Sequence, residues 1–348
     1  MEDKKYMNRA LMIAKKASPA PNPQVGAVLV KNGKIIGEGY HAEYGGAHAE
    51  IAAINDAEKR GNLVDGATLY VTLEPCSHHG KTPPCIDSIM FSGIVRVVIG
   101  CVDQNKLVAG AGIETLVKAG IKVNVGVLGE QCNALYGPFF HYTKTKKPFV
   151  TLKAGMTSDG KIALEKGKQV WITGKESLKK VHELRRDNDV VLVGIGTVLA
   201  DNPRLTCRVK CNKQPVKVIV DSKLKIPLNS KVLADNNVII ATTAGYNKKK
   251  FSELRKRGIK FIVTNGSKVN LKSVLMKLPS FGILSVLVEG GNEINTSLLE
   301  KKLVDRICFF VAPKKFGKGL DAFNFKIKLK NVVKKKLGND TFIDARIK

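Results

Sequence analysis

Three short pieces of this chain, His48-Ala49-Glu50, Pro75-Cys76 and Cys85 behind Pro83-Pro84, offer one imidazole, two thiols and one carboxylate. Any fold that uses them together must bring distant stretches of backbone to a single point, and this constrains the architecture more than any other feature. One imidazole and two thiolates fill three of the four positions around a tetrahedral zinc ion and leave the fourth for water, the pattern of a catalytic site. Zinc lowers the pKa of such a water to about 7, and the reaction then needs a group to take its proton and pass it on. Glu50, two residues after the histidine, is that group. His48, Cys76 and Cys85 are the predicted metal ligands. Helix geometry adds a condition: positions i and i+2 lie about 200° apart, so His48 and Glu50 reach one site only if His48 stands at the helix start. Gly45-Gly46 fits a loop entering a helix there, and cysteines near helix N-termini gain a lowered thiol pKa.

The same division of labour, H-x-E followed by P-C-x-x-C, is the signature of zinc-dependent base deaminases. Here eight residues, Ser77 to Pro84, separate the two cysteines. That insert adds hydrogen-bond donors and a cation beside the metal. Cys101, Cys132 and Cys308 read as small core residues, and Cys207 with Cys211 lacks a third ligand nearby.

At 348 residues the chain exceeds one domain of about 100–200 residues. In the first half, strand-like runs at Val25–Val30 and Ile35–Tyr40 flank an Asn32-Gly33 hairpin signal. Further runs at Ala67–Leu73, Ile94–Ile99 and Ile121–Val125 alternate with helical patterns over roughly 48–59, 84–92 and 110–119, which predicts an α/β sandwich on one sheet. The segment from Tyr142 to Pro148 has no apolar periodicity and marks the boundary between domains at 1–145 and 146–348. Beyond it, strand candidates at Phe149–Ala154, Val190–Val193, Val216–Val220, Val238–Ala241, Lys260–Val263 and Leu284–Val288 predict a second α/β domain, parallel in the middle. The alternation from Phe323 to Lys330 predicts an edge strand with one wet face.

The formal charge of +28 suggests nucleic acid until it is divided along the chain. Residues 1–145 hold 15 Lys+Arg and 13 Asp+Glu, so nearly all the excess lies in the second half. Only 11 of the 58 basic residues are Arg, the residue that bidentate recognition of phosphate and bases favours. A Lys-rich solvated surface accounts for this charge, and neither nucleic acid nor a membrane is an expected partner. Seven cysteines, odd in number and without an export signal, predict a cytoplasmic location.

Further motifs extend the pattern. They are Pro21-Asn22-Pro23-Gln24-Val25-Gly26, Gly39-Tyr40-His41 and the run from Thr72 to Cys85, then Leu152-Lys153-Ala154, Asp159-Gly160-Lys161, Trp171-Ile172-Thr173, Gly196-Thr197-Val198, Asp201-Asn202-Pro203, Val288-Glu289-Gly290-Gly291 and Ala312-Pro313-Lys314. On these the chain resembles the bifunctional riboflavin-biosynthesis deaminase/reductase family over nearly its whole length. The resemblance implies an N-terminal cytidine-deaminase-like α/β/α sandwich, a zinc-dependent deaminase domain, followed by a dihydrofolate-reductase-like α/β domain, an NADPH-dependent reductase. The implied substrate is a small phosphorylated pyrimidine, a 2,5-diamino-6-ribosylaminopyrimidinone 5′-phosphate, deaminated first and then reduced from ribosyl to ribityl. The implied assembly is a homo-oligomer.

Carried over position by position, Asn22, His41, His78 and Lys81 hold the pyrimidine. Lys153, Gln169, Arg185, Leu205, Arg208 and Glu289 match substrate positions of the reductase, with Arg185 and Arg208 suited to a phosphate. Gly155, Trp171, Thr197, Asp201, Ser222, Gly290, Gly291 and Asn292 match cofactor positions. A strand ending in Gly290-Gly291 and leading into a helix also allows close backbone approach and favours phosphate at the helix N-terminus. Trp171 reads equally as core or as a border to the nicotinamide. One departure stands before Asp159-Gly160: Met156-Thr157-Ser158 replaces the family's commoner Ser then Leu, so a polar residue occupies an apolar position and the loop is expected to repack.

Two other readings compete. A zinc deaminase of nucleic-acid bases or nucleosides shares the metal motif, but the zinc domain is nearly neutral and aromatic residues form only 6% of the chain, few for base-stacking platforms. A non-catalytic zinc-stabilised binding module predicts a closed four-ligand site and leaves Glu50 without a purpose.

Overall fold

Asn32 and Gly33 take φ of 50° and 72°, the left-handed pair that closes a two-residue hairpin with the twist of its strands. The computed structural model containing this turn describes residues 2–16, 19, 21–77, 83–105, 109–165, 170–211 and 213–348. His78, Lys81 and Gln169 lie outside the described residues. The chain divides into two units, residues 1–146 and 147–348.

In the first unit the elements run α1 (Glu2–Ala14), β1 (Gly26–Lys31), β2 (Lys34–Tyr40), α2 (Ala49–Lys59), β3 (Thr68–Leu73), α3 (Cys85–Phe91), β4 (Arg96–Cys101), α4 (Ala111–Lys118), β5 (Lys122–Val125) and α5 (Gly129–Thr145). The sheet order is β2-β1-β3-β4-β5. β1 runs antiparallel to both neighbours, whereas β3, β4 and β5 are parallel. Side chains alternate between two cores, as the period of a strand requires. Ala27 and Leu29 pack with Ala53 of α2, Ile89 of α3 and Leu116 of α4. Val28 and Val30 pack with Met7 of α1 and Tyr136 of α5. The result is an α/β/α sandwich.

Helix α2, whose start carries His48 and Glu50, lies hard against β2. A Cβ on Gly39 would come within 2.2 Å of the Ala53 nitrogen and 2.3 Å of the Ala49 carbonyl, and one on Gly37 within 2.4 Å of the Ala53 carbonyl. Gly39→Ala must therefore push backbone against backbone. The expected cost is at least about 1–3 kcal/mol, with a fall in zinc affinity because His48 and Glu50 ride on the displaced helix. Thermal unfolding and metal content check both; an unshifted melting temperature would show that the helix floats.

In the second unit the elements are β6 (Phe149–Thr157), β7 (Lys161–Ala163), α6 (Lys175–Arg186), β8 (Val190–Gly194), α7 (Ile195–Asp201), β9 (Val216–Val220), β10 (Val238–Thr243), α8 (Lys248–Lys256), β11 (Lys260–Thr264), α9 (Leu271–Lys277), β12 (Ser285–Val288), α10 (Asn292–Glu300), β13 (Arg306–Ala312), β14 (Leu320–Asp321), β15 (Leu329–Leu337) and β16 (Asp340–Ile347). Nine strands form one sheet, ordered β11-β10-β9-β8-β12-β6-β13-β16-β15, and β14 pairs with β7 apart from it. From β11 to β13 the strands are parallel; β16 and β15 are antiparallel. Both faces are covered, Val190 and Leu192 facing one core and Val191 and Val193 the other. That explains the near-continuous apolar runs of the central strands.

The edge strand differs from the sequence reading. It is β15, beginning at Leu329, and residues 323–328 are irregular. Phe323 and Ile327 alternate because they drop onto the core, Phe323 stacking on Phe309 at 5.5 Å, without entering the ladder. The true edge carries Lys330, Lys334, Lys335 and Lys336, charges that discourage pairing with another strand. At the departure before Asp159, the Thr157 hydroxyl donates to Asp159 Oδ1 at 2.5 Å and the Ser158 hydroxyl donates to the Lys314 carbonyl at 2.9 Å. The polar residues thus bind this turn to residues 314–317. Among the described residues no helix is long and apolar enough to cross a membrane.

Candidate functional site

His48 is the N-cap of α2, with extended φ and ψ of −69° and 161°, so its ring and the Glu50 carboxylate reach the same side of the helix start. Cys76 follows β3, and Cys85 opens α3 directly after the Pro84 N-cap. A strand end and two helix N-termini thus deliver the three ligands. His48 Nδ1 lies 3.1 Å from Cys85 Sγ and 3.5 Å from Cys76 Sγ, and the two sulfurs are 3.4 Å apart. Zinc–sulfur and zinc–nitrogen bonds of about 2.3 and 2.0 Å imply ligand separations of roughly 3.5–3.8 Å in a tetrahedron, so a slight opening of this triangle admits the ion. Among the described residues this is the one group of three or more His, Cys, Asp or Glu side chains whose ligand atoms could share a metal. The donor set and spacing fit zinc.

The electrostatics fit as well. Hydrogen bonding from Cys85 and His48 holds the Cys76 thiol down to about 4, a ready thiolate, while the contact with Cys76 and burial push Cys85 up. Glu50 is only 3% exposed, and this burial raises its carboxyl to about 7, near the working pH where a proton shuttle is most effective. Both groups line a cavity of about 340 Å³.

Asn22 and His41 close one side of that cavity because the β1–β2 hairpin brings its two ends together. The Ala47 carbonyl can only accept, so His41 Nδ1 donates to it at 2.9 Å, and Nε2 is left to accept from Asn22 Nδ2 at 3.0 Å. Burial lowers the His41 pKa and favours this neutral form. The ring stands edge-on to His48 at 5.0 Å. The sequence reading missed Tyr44, Glu74, Asp103, Asn105 and Phe139, which also line the cavity. Tyr44, Glu74, Asp103 and Asn105 had only proximity to the zinc motifs or to the end of β4 as a sequence signal, and Phe139 of α5 had none.

In the second unit the register of the parallel strands builds another cluster. Val288 pairs with Leu152, which sets Glu289 beside Lys153. Arg185 grips Glu289 through Nε and Nη2 at 2.6 and 2.9 Å, and Lys153 Nζ lies 3.5 Å away. Burial alone would raise the Glu289 carboxyl, but Arg185 and Lys153 override it and hold the pKa at about 2. Arg185 also donates to the Thr206 carbonyl at 3.1 Å, so its fork faces Glu289 and is not open to a substrate phosphate; Arg208 remains exposed. Burial raises the Asp201 carboxyl, and the charge of Lys153 opposes that rise. Gly155, on β6, stands next to Thr173, and Thr197 lies on α7.

Several other positions carry their side chains elsewhere. Leu205 is buried in the core at φ 55° and has only its backbone to offer. The Ser222 hydroxyl accepts from the Val269 nitrogen at 3.1 Å, and Asn292 donates to the Asp321 carbonyl and Asn324 Oδ1, both at 3.0 Å. Trp171 is 70% exposed, so the core reading does not hold. Gly290 is needed for packing, since a Cβ there would lie 2.8 Å from Ile294, whereas the space above Gly291 is open.

Comparison with known proteins agrees with both units. The cytidine and deoxycytidylate deaminase zinc-binding region matches residues 1–101, and the RibD C-terminal domain matches residues 148–343. The chain is 46% identical over 321 residues to the riboflavin biosynthesis protein RibD of Aquifex aeolicus, covering 91% of this chain and 89% of that protein. It is 36% identical to RibD of Escherichia coli, covering 91% and 89%. Among solved structures, RibD of Acinetobacter baumannii superposes with a TM-score of 0.80 at 32% identity, covering 100% and 99% of the two chains. The Thermotoga maritima diaminohydroxyphosphoribosylaminopyrimidine deaminase/5-amino-6-(5-phosphoribosylamino)uracil reductase superposes at 0.77 with 40% identity and the same coverage.

Proposed function

Because the chain belongs to the RibD family of bifunctional riboflavin-biosynthesis deaminase/reductases, we propose how its residues divide the two reactions. Residues 1–145 deaminate the 2,5-diamino-6-ribosylaminopyrimidinone 5′-phosphate, and residues 146–348 reduce the ribosyl group of the product with NADPH. The observation that carries the first half is the His48, Cys76 and Cys85 triangle, with ligand atoms within 4.8 Å of one another, in the same cavity as buried Glu50.

A zinc ion held by those three side chains supplies an activated water. Glu50 takes the proton of that water and returns it to the departing amine, so that water and the exocyclic C–N bond are exchanged for a ring carbonyl and ammonia. Asn22 and His41 orient the heterocycle, and His78 and Lys81 contribute to its binding on family grounds. An unpaired polar edge of the ring would cost about 1–3 kcal/mol per group.

In the second unit, reduced nicotinamide supplies a hydride to the ring-opened sugar. Lys153, Glu289 and Arg208 hold the substrate and Arg185 fixes the Glu289 carboxylate, with Gln169 and the Leu205 backbone on family grounds. Gly291 opens α10 with no side-chain cap, which suits a cofactor phosphate. Gly155, Trp171, Thr197 and Asp201 complete the cofactor site, with Gly290 and the backbones of Ser222 and Asn292 on family grounds. The protein works in the cytoplasm as a homo-oligomer.

The test is to incubate purified, zinc-loaded protein with the diaminopyrimidinone phosphate and to follow ammonia release and nicotinamide oxidation separately. Stoichiometric ammonia, then oxidation of NADPH in preference to NADH, is expected. Ammonia without oxidation would remove the reductase assignment, and oxidation of NADH at equal efficiency would remove the cofactor assignment. Light scattering of the same sample tests the oligomer.

A further inference from the structure

We propose that Glu74 is a positioning residue of the deaminase: its carboxylate ties the cavity wall at Asp103 and Asn105 to the strand end that carries Cys76. This rests on the deaminase reading above and adds to it a residue that neither ligates zinc nor moves the proton.

Glu74 directly follows β3, two residues before Cys76, and is 6% exposed. A carboxylate so placed would be costly unless its oxygens were fully bonded, and four backbone N–H groups converge on it. Oε2 accepts from Asp103 at 3.2 Å and from Gly110 at 3.1 Å, while Oε1 accepts from Gly112 at 3.1 Å and Ile113 at 3.4 Å. Three of these donors belong to the start of α4, whose N-cap is a glycine with no side chain to satisfy them. Glu74 therefore caps a helix from another element, and through the fourth donor it fixes Asp103. The Asp103 carboxylate in turn accepts from the Asn105 nitrogen at 2.8 Å. The chain of bonds ends at two residues that line the cavity beside Glu50. Backbone contact is equally close: a Cβ on Gly112 would lie 2.3 Å from the Pro75 carbonyl, so the start of α4 cannot shift without disturbing the Pro75-Cys76 segment.

A helix cap alone would affect stability and nothing else, whereas a positioning role moves substrate binding. Glu74→Gln keeps one acceptor oxygen and turns an NH₂ group toward two of the four donors. With the zinc-loaded full-length variant, KM for the diaminopyrimidinone phosphate is expected to rise about tenfold, the equivalent of one lost hydrogen bond to a charged group. Zinc stoichiometry and reduction of the pre-deaminated substrate are expected to stay at wild-type values, since the reductase lies in the other unit. Unchanged KM in a folded, zinc-loaded variant overturns the proposal, as does loss of zinc together with activity. Should Glu74→Gln not fold, Asp103→Ala carries the test, because it breaks the link to Asn105 and leaves the α4 cap intact. A raised KM at unchanged melting temperature supports the proposal and an unchanged KM overturns it. Wild-type protein that releases no ammonia overturns the deaminase reading itself, an outcome distinct from an active wild type with an unaffected variant.

Discussion

Glu50→Gln is expected to lower the rate of ammonia release by roughly 10²–10⁴-fold, the usual contribution of a positioned general acid–base, while zinc stays bound. The side chains are nearly the same shape, and the ligand triangle is made by His48, Cys76 and Cys85 without the carboxylate, so metal content should not change. Stability should hold or rise. Burial raises the Glu50 carboxyl to about 7, so the fold carries an ionisable group in a site that disfavours its charge, and a neutral amide removes that cost. Zinc analysis, thermal unfolding, ammonia release and reduction of the pre-deaminated substrate separate these effects. Ammonia at the wild-type rate would mean that another group moves the proton. Loss of zinc would mean that Glu50 supports the metal and that its proton role is unproven.

The second large effect concerns the folded state of residues 147–348. Glu289 and Arg185 are 8% and 13% exposed in their side chains, with Lys153 on the same carboxylate. Glu289→Gln leaves two partly buried cations facing an amide. Breaking a buried pair by removing one partner costs about 3–5 kcal/mol, and urea unfolding followed in the second unit should show a loss of that order. The reductase reaction should fall with it, while ammonia release from the first unit should not.

The pH dependence has a definite sign. The Glu289 carboxyl is held at about 2 in the folded protein, below the ordinary value of about 4.3. Its stabilisation is fully present above the ordinary value and is lost as the pH falls from there through about 2. The variant should therefore show a flatter stability profile between about pH 4 and 2. A loss below about 0.5 kcal/mol would show that the pair behaves like an exposed one.

The zinc site was legible because metal chemistry restricts residue types and because i, i+2 geometry allowed only one placement of His48. Its cavity wall was less so. Asp103 and Asn105 belong to no metal or catalytic motif; they reach the site because the parallel pairing of β3 with β4 brings the ends of both strands to one edge. In the second unit the partner of a candidate residue was not readable. Arg185 reads as an anion-binding side chain, and the anion it holds is Glu289, more than a hundred positions away. The alternation from Phe323 to Lys330 was real, but Phe323 and Ile327 pack on the core while Phe325 is exposed, because apolar spacing says nothing of which backbone is paired.

By itself the sequence determined the two α/β domains, the Asn32-Gly33 turn, and the three side chains that meet as a candidate metal site with Glu50 beside them. Each follows from local propensity or from chemistry that few residue types can perform. Only the tertiary structure decided that four backbone N–H groups converge on Glu74, that Glu289 pairs with two cations, and that Gly39 must lack a side chain to admit α2. These depend on contacts between elements far apart in the chain, where strand register and close packing, not composition, choose the partner.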